Sequence, residues 1–388
     1  MAVSSVYSIK FFSLLLPFLG GILFIVQKGW RHFKFNLPVL AIFFVLLITW
    51  SGLSLFWAVH EKAALKAFFS LSMTLIFSYV FLDGILKSKT DLTEKTYKTL
   101  ILFGLFLATL IVFQSFLDTF QIHPLARFTY LLKPAGSALG LLGFVTCAFL
   151  WTKGGRKITF LSFALLLCLI LLTTCQTALY AFVAASGFFA ISYALPFWTT
   201  RFAMIGSYTL LLLSPILHAY ILLPMKVMTT PYLSSLLSSS FYHRLLAWEF
   251  YSHKFFQNPL LGWGIGSSQY IFDKPELGLG YKNTVHPHKS VLQAYVELGI
   301  FGGIVFSFFV AYLFWLVEKH VKDRLSVAVC NATILFGLML ADMTHSLWRN
   351  YYLSLAALTA GVLMIFLKYR AEKRPSAIDR LKRTPAPL

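Results

Sequence analysis

Long stretches of predominantly apolar residues are the feature that most constrains how this chain can fold. They recur along nearly the whole of its 388 residues. A stretch of about 18 apolar residues or more is long enough to cross about 30 Å of hydrocarbon as an α-helix. Hydrophobic residues make up 58% of the chain and charged residues only 12%. Because unpaired backbone groups are costly in lipid, we predict an all-α, polytopic membrane protein.

Eleven membrane helices are predicted from these stretches. The first could instead be a targeting signal, but no small-residue cleavage site follows it, so it is interpreted as a retained helix. The predicted bounds are 8–27, 36–57, 63–84, 98–118, 135–152, 157–174, 177–196, 201–223, 289–317, 325–345 and 350–368.

Charge placement predicts the orientation of these helices. If the C-terminal tail is cytoplasmic, alternation assigns 21 of the 33 Lys and Arg residues to the cytoplasmic side. Of the other 12, Lys10 lies near the N-terminus and 11 lie on the opposite side, six of them between Lys226 and Lys289, in a long loop that the positive-inside rule largely exempts. The cytoplasmic segments are then 28–35, 85–98, 153–157, Arg201, 318–324 and the tail from 368.

The same distribution argues against a nucleic-acid partner, although the net charge is +19. The positive charge is spread over short loops between helices, where the positive-inside rule and anionic headgroups of the bilayer account for it. The sequence has no P-loop, no Asp-x-Asp pair on the outer face and no cysteines at metal-ligand spacing. We therefore expect no metal and no other cofactor.

One region outside the membrane helices is long enough to form a site. It divides the chain into N-terminal helices (1–223), an outer loop (224–288), and C-terminal helices with a basic tail (289–388). Within the loop, a helical stretch from Phe241 to Gln257 carries many aromatic residues, Trp248 among them, and is interpreted as an interfacial helix. A glycine-rich turn follows at 262–266, and it resembles a phosphate cradle only weakly because strand and helix context is missing.

A histidine stands where this loop meets the next membrane helix. If the segment is helical at about 100° per residue, Gly299 and Gly302 continue the face that starts at His288, and Glu297 points the opposite way. Such a small-residue groove lets a helix or a lipid chain approach closely. We interpret His288 as a candidate general base, because imidazole titrates near neutral pH. The alternative is a loop histidine without a special role.

Several polar residues are predicted to face the same outer side. Arg244 begins the interfacial helix, and its guanidinium offers a rigid fork of donors that matches phosphate oxygens. The alternative interpretation is a solvated arginine at the interface. Cations gathered at this depth would suit an anionic lipid headgroup. The other outer residues are Arg127 and Lys133 before the fifth helix, Gln176 after the sixth, Lys289 after the loop and Arg349 before the last helix.

Three motifs together resemble one family. His288-Lys289 is followed, after nine residues, by Gly299-Ile300-Phe301-Gly302. Arg244-Leu-Leu-Ala-Trp248 precedes Pro259-Leu-Leu-Gly262-Trp-Gly264-Ile-Gly266, and Trp50-Ser-Gly-Leu-Ser-Leu-Phe-Trp57-Ala58 closes the second helix. In these motifs, and in topology and length, the chain resembles the superfamily of O-antigen ligases and polymerases, which are bacterial envelope glycosyltransferases.

The chain departs from the family's pattern at two places. Lys289 stands where the family usually has an amide or serine, and Cys175-Gln176 stands where it often has Ser-Arg. If that arginine binds diphosphate in relatives, Lys289 or Arg127 could supply the charge here. The family also typically has twelve membrane helices, so the resemblance implies a GT-C-like fold with 11 to 12.

The resemblance, in its O-antigen ligase branch, implies a reaction. The donor would be a glycan on undecaprenyl diphosphate, and the acceptor would be a sugar hydroxyl of lipid A-core. The site would face the periplasm from the inner membrane. His288 would be the base, and Arg244 would stabilise the departing diphosphate, supported by Arg127, Lys133, Lys289 and Arg349. Trp248 and Gln176 would contact substrate, and the Gly299–Gly302 groove would hold the prenyl chain. Metal-independent transfer would invert the anomeric centre.

Other functions stay open at this point. An O-antigen polymerase would share the fold and donor but extend a second lipid-linked glycan, and polymerases tend to have two large outer loops where this chain has one. Protein O-oligosaccharyltransferases of the superfamily are usually longer. A transporter or flippase for an anionic lipid-linked glycan would use the cations without a base, and such folds often show an inverted repeat, which is not visible here.

Overall fold

The computed structural model describes residues 38–88, 93–119, 129–173, 175–221, 239–271, 287–343 and 346–373. Within these ranges the protein is helical and has no strand. The long helices are α1 (Pro38–Leu53), α2 (Glu61–Lys87), α3 (Thr93–Thr119), α4 (Thr129–Lys153), α5 (Arg156–Leu172), α6 (Gln176–Ala194), α7 (Pro196–Leu212), α8 (Ser239–Gln257), α9 (Ser290–His320), α10 (Arg324–Met343) and α11 (Asn350–Glu372).

These helices confirm the predicted fold class. Ten of the eleven predicted membrane helices correspond to α1–α7 and α9–α11, and the first, 8–27, lies outside the described residues. In the described part, seven helices are long and apolar enough to cross a membrane. The number is eight if α7 and the bent continuation Ser214–Ile221, which turns by 59°, form one span. The protein is therefore an all-α, multi-pass membrane protein.

Segments that the charge pattern assigned to one side of the membrane meet at one end of the bundle. Four contacts each join two predicted cytoplasmic segments that are distant in sequence. They are Lys153 with Glu94 at 2.5 Å, Arg201 with Glu318 at 2.6 Å, Arg370 with Asp323 at 2.8 Å, and Lys368 Nζ donating to the Ile85 carbonyl at 2.7 Å. The contacts agree with the predicted alternation of the helices.

The middle of the predicted interfacial helix is packed against other parts of the protein. Every residue of α8 from Leu245 to Ser252 is buried, including Trp248, and Tyr251 is fully enclosed. Tyr251 Oη donates to the Ser268 carbonyl at 2.8 Å, and Phe255 packs edge-on against Tyr295 of α9. Aromatic side chains suit a membrane interface and a protein core equally well, so their number alone did not reveal this packing.

Helix α9 is broken at Gly299, so the prediction of one continuous helix is wrong. Gly299 has φ 68° and ψ −165°, a conformation open essentially only to glycine. A Cβ there would overlap the carbonyl of Leu260 and lie 2.9 Å from Gly262 N. At Gly302 it would overlap Leu298. The space that the sequence assigned to a lipid chain at Gly299 is filled by the protein's own backbone.

The three sequence motifs meet at this break. Trp50 Nε1 donates to the Leu298 carbonyl at 2.8 Å. Trp57 Nε1 donates to the Leu261 carbonyl at 3.2 Å. Gly264 lies so close to Ala58 that a Cβ would overlap it. We call this contact region, made of residues 50–59, 259–266 and 296–300, the glycine joint.

We expect Gly299→Ala to destabilise the protein strongly. The new Cβ has no space, and the positive φ adds about 1–3 kcal/mol of backbone strain. Thermal unfolding in detergent would measure the loss. Gly206→Ala in α7 is the matched control, because nothing lies within 4 Å of its Cβ position. An unchanged melting temperature for Gly299→Ala would contradict the close approach.

Candidate active site

The glycine-rich turn does not offer its N–H groups to a phosphate. Five consecutive backbone N–H groups, from Gly262 to Gly266, donate to acceptors within the protein. Those acceptors are the carbonyls of Asn258, Val296 and Glu297, the hydroxyl of Ser54 and the carboxylate of Glu297. The turn is therefore part of the glycine joint and not an anion cradle.

Glu297 anchors the joint from within the core. The residue is fully buried, and its carboxylate accepts hydrogen bonds from the N–H groups of Gly266 and Ser268. It also accepts from Gln293 Nε2 at 2.9 Å and Trp348 Nε1 at 2.5 Å. A buried carboxylate is stable only with such compensation. Our sequence reasoning missed this role, although a lone Glu within an apolar stretch was a usable signal.

The same face of α9 holds the segment before α11. Gln293 Oε1 accepts from Leu347 N at 2.9 Å, and Gln293 Nε2 donates to Ser346 Oγ at 3.1 Å. Trp348 donates to Glu297, so three consecutive residues, Ser346, Leu347 and Trp348, are hydrogen-bonded to α9. Arg349 follows directly and has an exposed side chain. The helix that begins after His288 therefore also positions Arg349.

His288 itself lies just outside α9. It has φ 54°, which is uncommon for a residue other than glycine, and its side chain is partly buried. The helix starts two residues later at Ser290, whose hydroxyl donates to the Ala341 carbonyl at 2.8 Å. Such strained conformations often occur at functional sites, and they persist where the surroundings hold them.

Lys289 is engaged by the protein. Its Nζ lies 3.4 Å from Asp342 Oδ2 and 5.1 Å from the centre of the Trp248 ring. On another side, the Trp248 ring meets the buried His218 edge-on at 5.4 Å, and His218 Nδ1 donates to the Ser214 carbonyl at 2.6 Å. Our sequence reasoning did not anticipate His218, which lies in the bent continuation of α7.

Arg244 reaches the turn where the chain departs from the resembled family. Its Nη1 donates to Thr177 Oγ1 at 3.3 Å, at the start of α6. Burial lowers the pKa of Arg244, while the nearby Cys175 opposes that shift. Arg244 thus lies near the turn at Cys175.

Three predicted site residues remain, and the structure describes the side chain of only one of them, Gln176. Gln176 is exposed as the first residue of α6, beside the Arg244 contact. Arg127 lies outside the described residues, and for Lys133 only the backbone, in α4, is described. Among the described residues, no three His, Cys, Asp or Glu side chains are grouped so that they could hold a metal ion.

Comparison with known proteins shows what this chain is similar to. A family described as O-antigen ligase matches residues 161–307, which include Arg244, Trp248, the glycine turn, His288 and Gly299. This match covers less than half of the chain, and together with the relatives described next it makes the chain similar to O-antigen ligases.

Relatives that match over most of their length have a related description. A "putative polysaccharide ligase" of Rickettsia conorii is 23% identical over 365 residues, which is 91% of this chain and 84% of the relative. Proteins with the same description from Rickettsia prowazekii and Rickettsia typhi are each 24% identical over 321 residues, covering 80% of this chain and 73% of theirs.

We expect Trp348→Phe to weaken the anchoring of Arg349. The change removes one donor from the buried carboxylate of Glu297, and loss of such a bond to a charged group costs about 1.5–3 kcal/mol. Thermal unfolding in detergent would report it. Trp198→Phe is the matched control because Trp198 is 58% exposed. Equal melting temperatures for the two variants would argue against the anchor.

Proposed function

We propose that the protein transfers an O-antigen glycan from undecaprenyl diphosphate to a sugar hydroxyl of lipid A-core, at the periplasmic face of the inner membrane. The observation that carries the proposal is that contacts of α9 and of Lys289 connect the segments that carry His288, Arg244 and Arg349. Helix α9 follows His288 and holds the segment of Arg349, and Lys289 contacts Trp248 one turn from Arg244. A base and two cations are what this transfer requires.

His288 acts as the general base in this proposal. It removes the proton from the acceptor hydroxyl as the oxygen attacks the anomeric carbon of the donor. A glycosidic bond forms, and the bond from that carbon to the diphosphate oxygen breaks. A single displacement of this kind inverts the anomeric centre. The bond that breaks already stores the free energy for the reaction, so no nucleotide is needed.

Arg244 and Arg349 stabilise the departing undecaprenyl diphosphate. Negative charge grows on the leaving oxygen as the bond breaks, and fixed donors lower the energy of that state. Arg244 is suited to this task because Thr177 orients its guanidinium and because burial reduces competition from water. Arg349, which directly precedes α11, adds a second and more exposed cation.

We expect His288→Ala to abolish transfer while leaving insertion and folding intact. Purified protein in detergent would be supplied with undecaprenyl-diphosphate-linked glycan and rough lipopolysaccharide, without nucleotide and with EDTA. Glycan-bearing lipopolysaccharide is the expected product of the wild type. His253→Ala is the matched control, because His253 is an exposed histidine on α8. Full activity of His288→Ala would remove the base assignment.

The same assay separates the rival functions. Lengthening of the lipid-linked glycan without ligation would identify a polymerase. Formation of neither product would favour a transporter, which needs the cations but no base. Ligation that occurs without EDTA but is lost in its presence would instead point to a metal and direct attention to Glu61, which is exposed at the start of α2, and to Asp273, outside the described residues.

We expect Arg244→Lys to lower kcat by about 10- to 100-fold, because lysine keeps the charge but loses the oriented fork of donors. Steady-state kinetics with varied donor would measure the effect. Arg156→Lys is the matched control, since Arg156 stacks on Trp151 at the start of α5, in a predicted cytoplasmic segment. Unchanged kinetics for Arg244→Lys would mean that Arg244 contributes charge alone or nothing.

A further inference from the structure

We propose that Lys289 and Asp342 form a mutually neutralising pair that positions His288 for the transfer. Lys289 is then a positioning residue and not a ligand of the diphosphate. This inference rests on the proposed function, and it replaces the role that the sequence suggested for Lys289.

The pair joins the start of one helix to the end of another. Lys289 precedes the first residue of α9, and Asp342 lies in the last turn of α10. Their side chains are each only 15% exposed. Beside them, Ser290 Oγ donates to the Ala341 carbonyl. Two neighbouring residues of one segment are thus bound to two neighbouring residues of the other, immediately after His288.

The charge of Lys289 and the charge of Asp342 would each be destabilised by the nearby helix end if the other charge were absent. A helix carries partial positive charge at its N-terminus and partial negative charge at its C-terminus. Lys289 places a cation at the N-terminus of α9, and Asp342 places an anion at the C-terminus of α10. Asp342 Oδ1 is buried and accepts no hydrogen bond from the described residues, so the carboxylate depends on Lys289. Paired, the two charges cancel both unfavourable interactions.

A third contact encloses the ammonium group. The face of Trp248 lies 5.1 Å from Lys289 Nζ, a cation–π distance. Trp248 stands one turn beyond Arg244 on α8, and its ring is held on another side by His218. Lys289 therefore links the helix that carries the phosphate-binding arginine to the segment that carries the base. With Asp342 and Trp248 around it, the ammonium is already neutralised and partly desolvated.

This arrangement accounts for the unusual residue after His288. An amide or serine, which the resembled family usually has there, carries no charge and needs no counter-ion. A lysine at the same position needs a carboxylate within reach, and Asp342 supplies it. The two residues should therefore be replaceable together but not separately.

A double-mutant cycle tests the pair. The wild type, Lys289→Asn, Asp342→Asn and the double variant would be assayed for ligation under the conditions given above, with donor concentration varied. We expect each single change to lower kcat at least about 10-fold with little change in donor KM, because an unpaired buried charge distorts the site. We expect the double variant to recover to within about 3-fold of the wild type.

Two outcomes would overturn the proposal. If Lys289→Asn raises the donor KM while Asp342→Asn stays near wild type, Lys289 binds the diphosphate. If the double variant is no better than the worse single variant, the charges do not act as a pair. Arg201→Gln is the control for loss of an unrelated ion pair, because Arg201 bonds Glu318 at the other end of the bundle. Its kcat should match the wild type.

Melting temperatures of the same proteins separate this inference from the function on which it rests. If the single changes lower stability but leave kcat of the folded protein unchanged, the pair is structural only and the positioning role fails. If the wild type forms no ligated product, the proposed function fails. Non-additive melting temperatures would then still support mutual neutralisation, and additive ones would refute it.

Discussion

The buried carboxylate of Glu297 accepts hydrogen bonds from segments that are far apart in sequence, and the arrangement of the site depends on it. It binds the glycine turn on one side and Trp348 on the other. Gln293, one turn earlier, binds the two residues before Trp348. A charge without water around it must find donors, so these segments can be placed in few other ways. The hydrogen bonds of Glu297 and Gln293 therefore determine the positions of the glycine joint and of Arg349.

Most residues of the signature motifs serve this architecture and not the chemistry. Gly262, Gly264 and Gly299 allow backbones to approach more closely than any side chain would permit. Trp50 and Trp57 then donate to carbonyls that the break in α9 and the adjacent turn leave available. A helix break is tolerated at membrane depth only where the freed groups are bound in this way. In the proposed reaction, His288 and Arg244 are the motif residues that act on the substrate.

Charged residues are used differently at the two ends of the bundle. At one end, Arg201, Lys153 and Arg370 each contact a carboxylate. At the other end, neither Arg244 nor Arg349 has a carboxylate partner among the ion pairs of the described residues. Lys289 is the exception there because Asp342 neutralises it. An anionic substrate would therefore meet the two arginines.

The sequence by itself determined the helical class, the position of ten described helices and the segregation of charged segments, because these depend on local composition and on the bilayer thickness. It also singled out His288 and Arg244 through their motifs. Only the tertiary structure decided that the middle of α8 is buried, that α9 breaks at Gly299, that Glu297 is the anchor and that Lys289 is paired. Each of these depends on a contact between residues distant in the chain, and hydrophobic periodicity reports which face of a helix is apolar but not what that face touches.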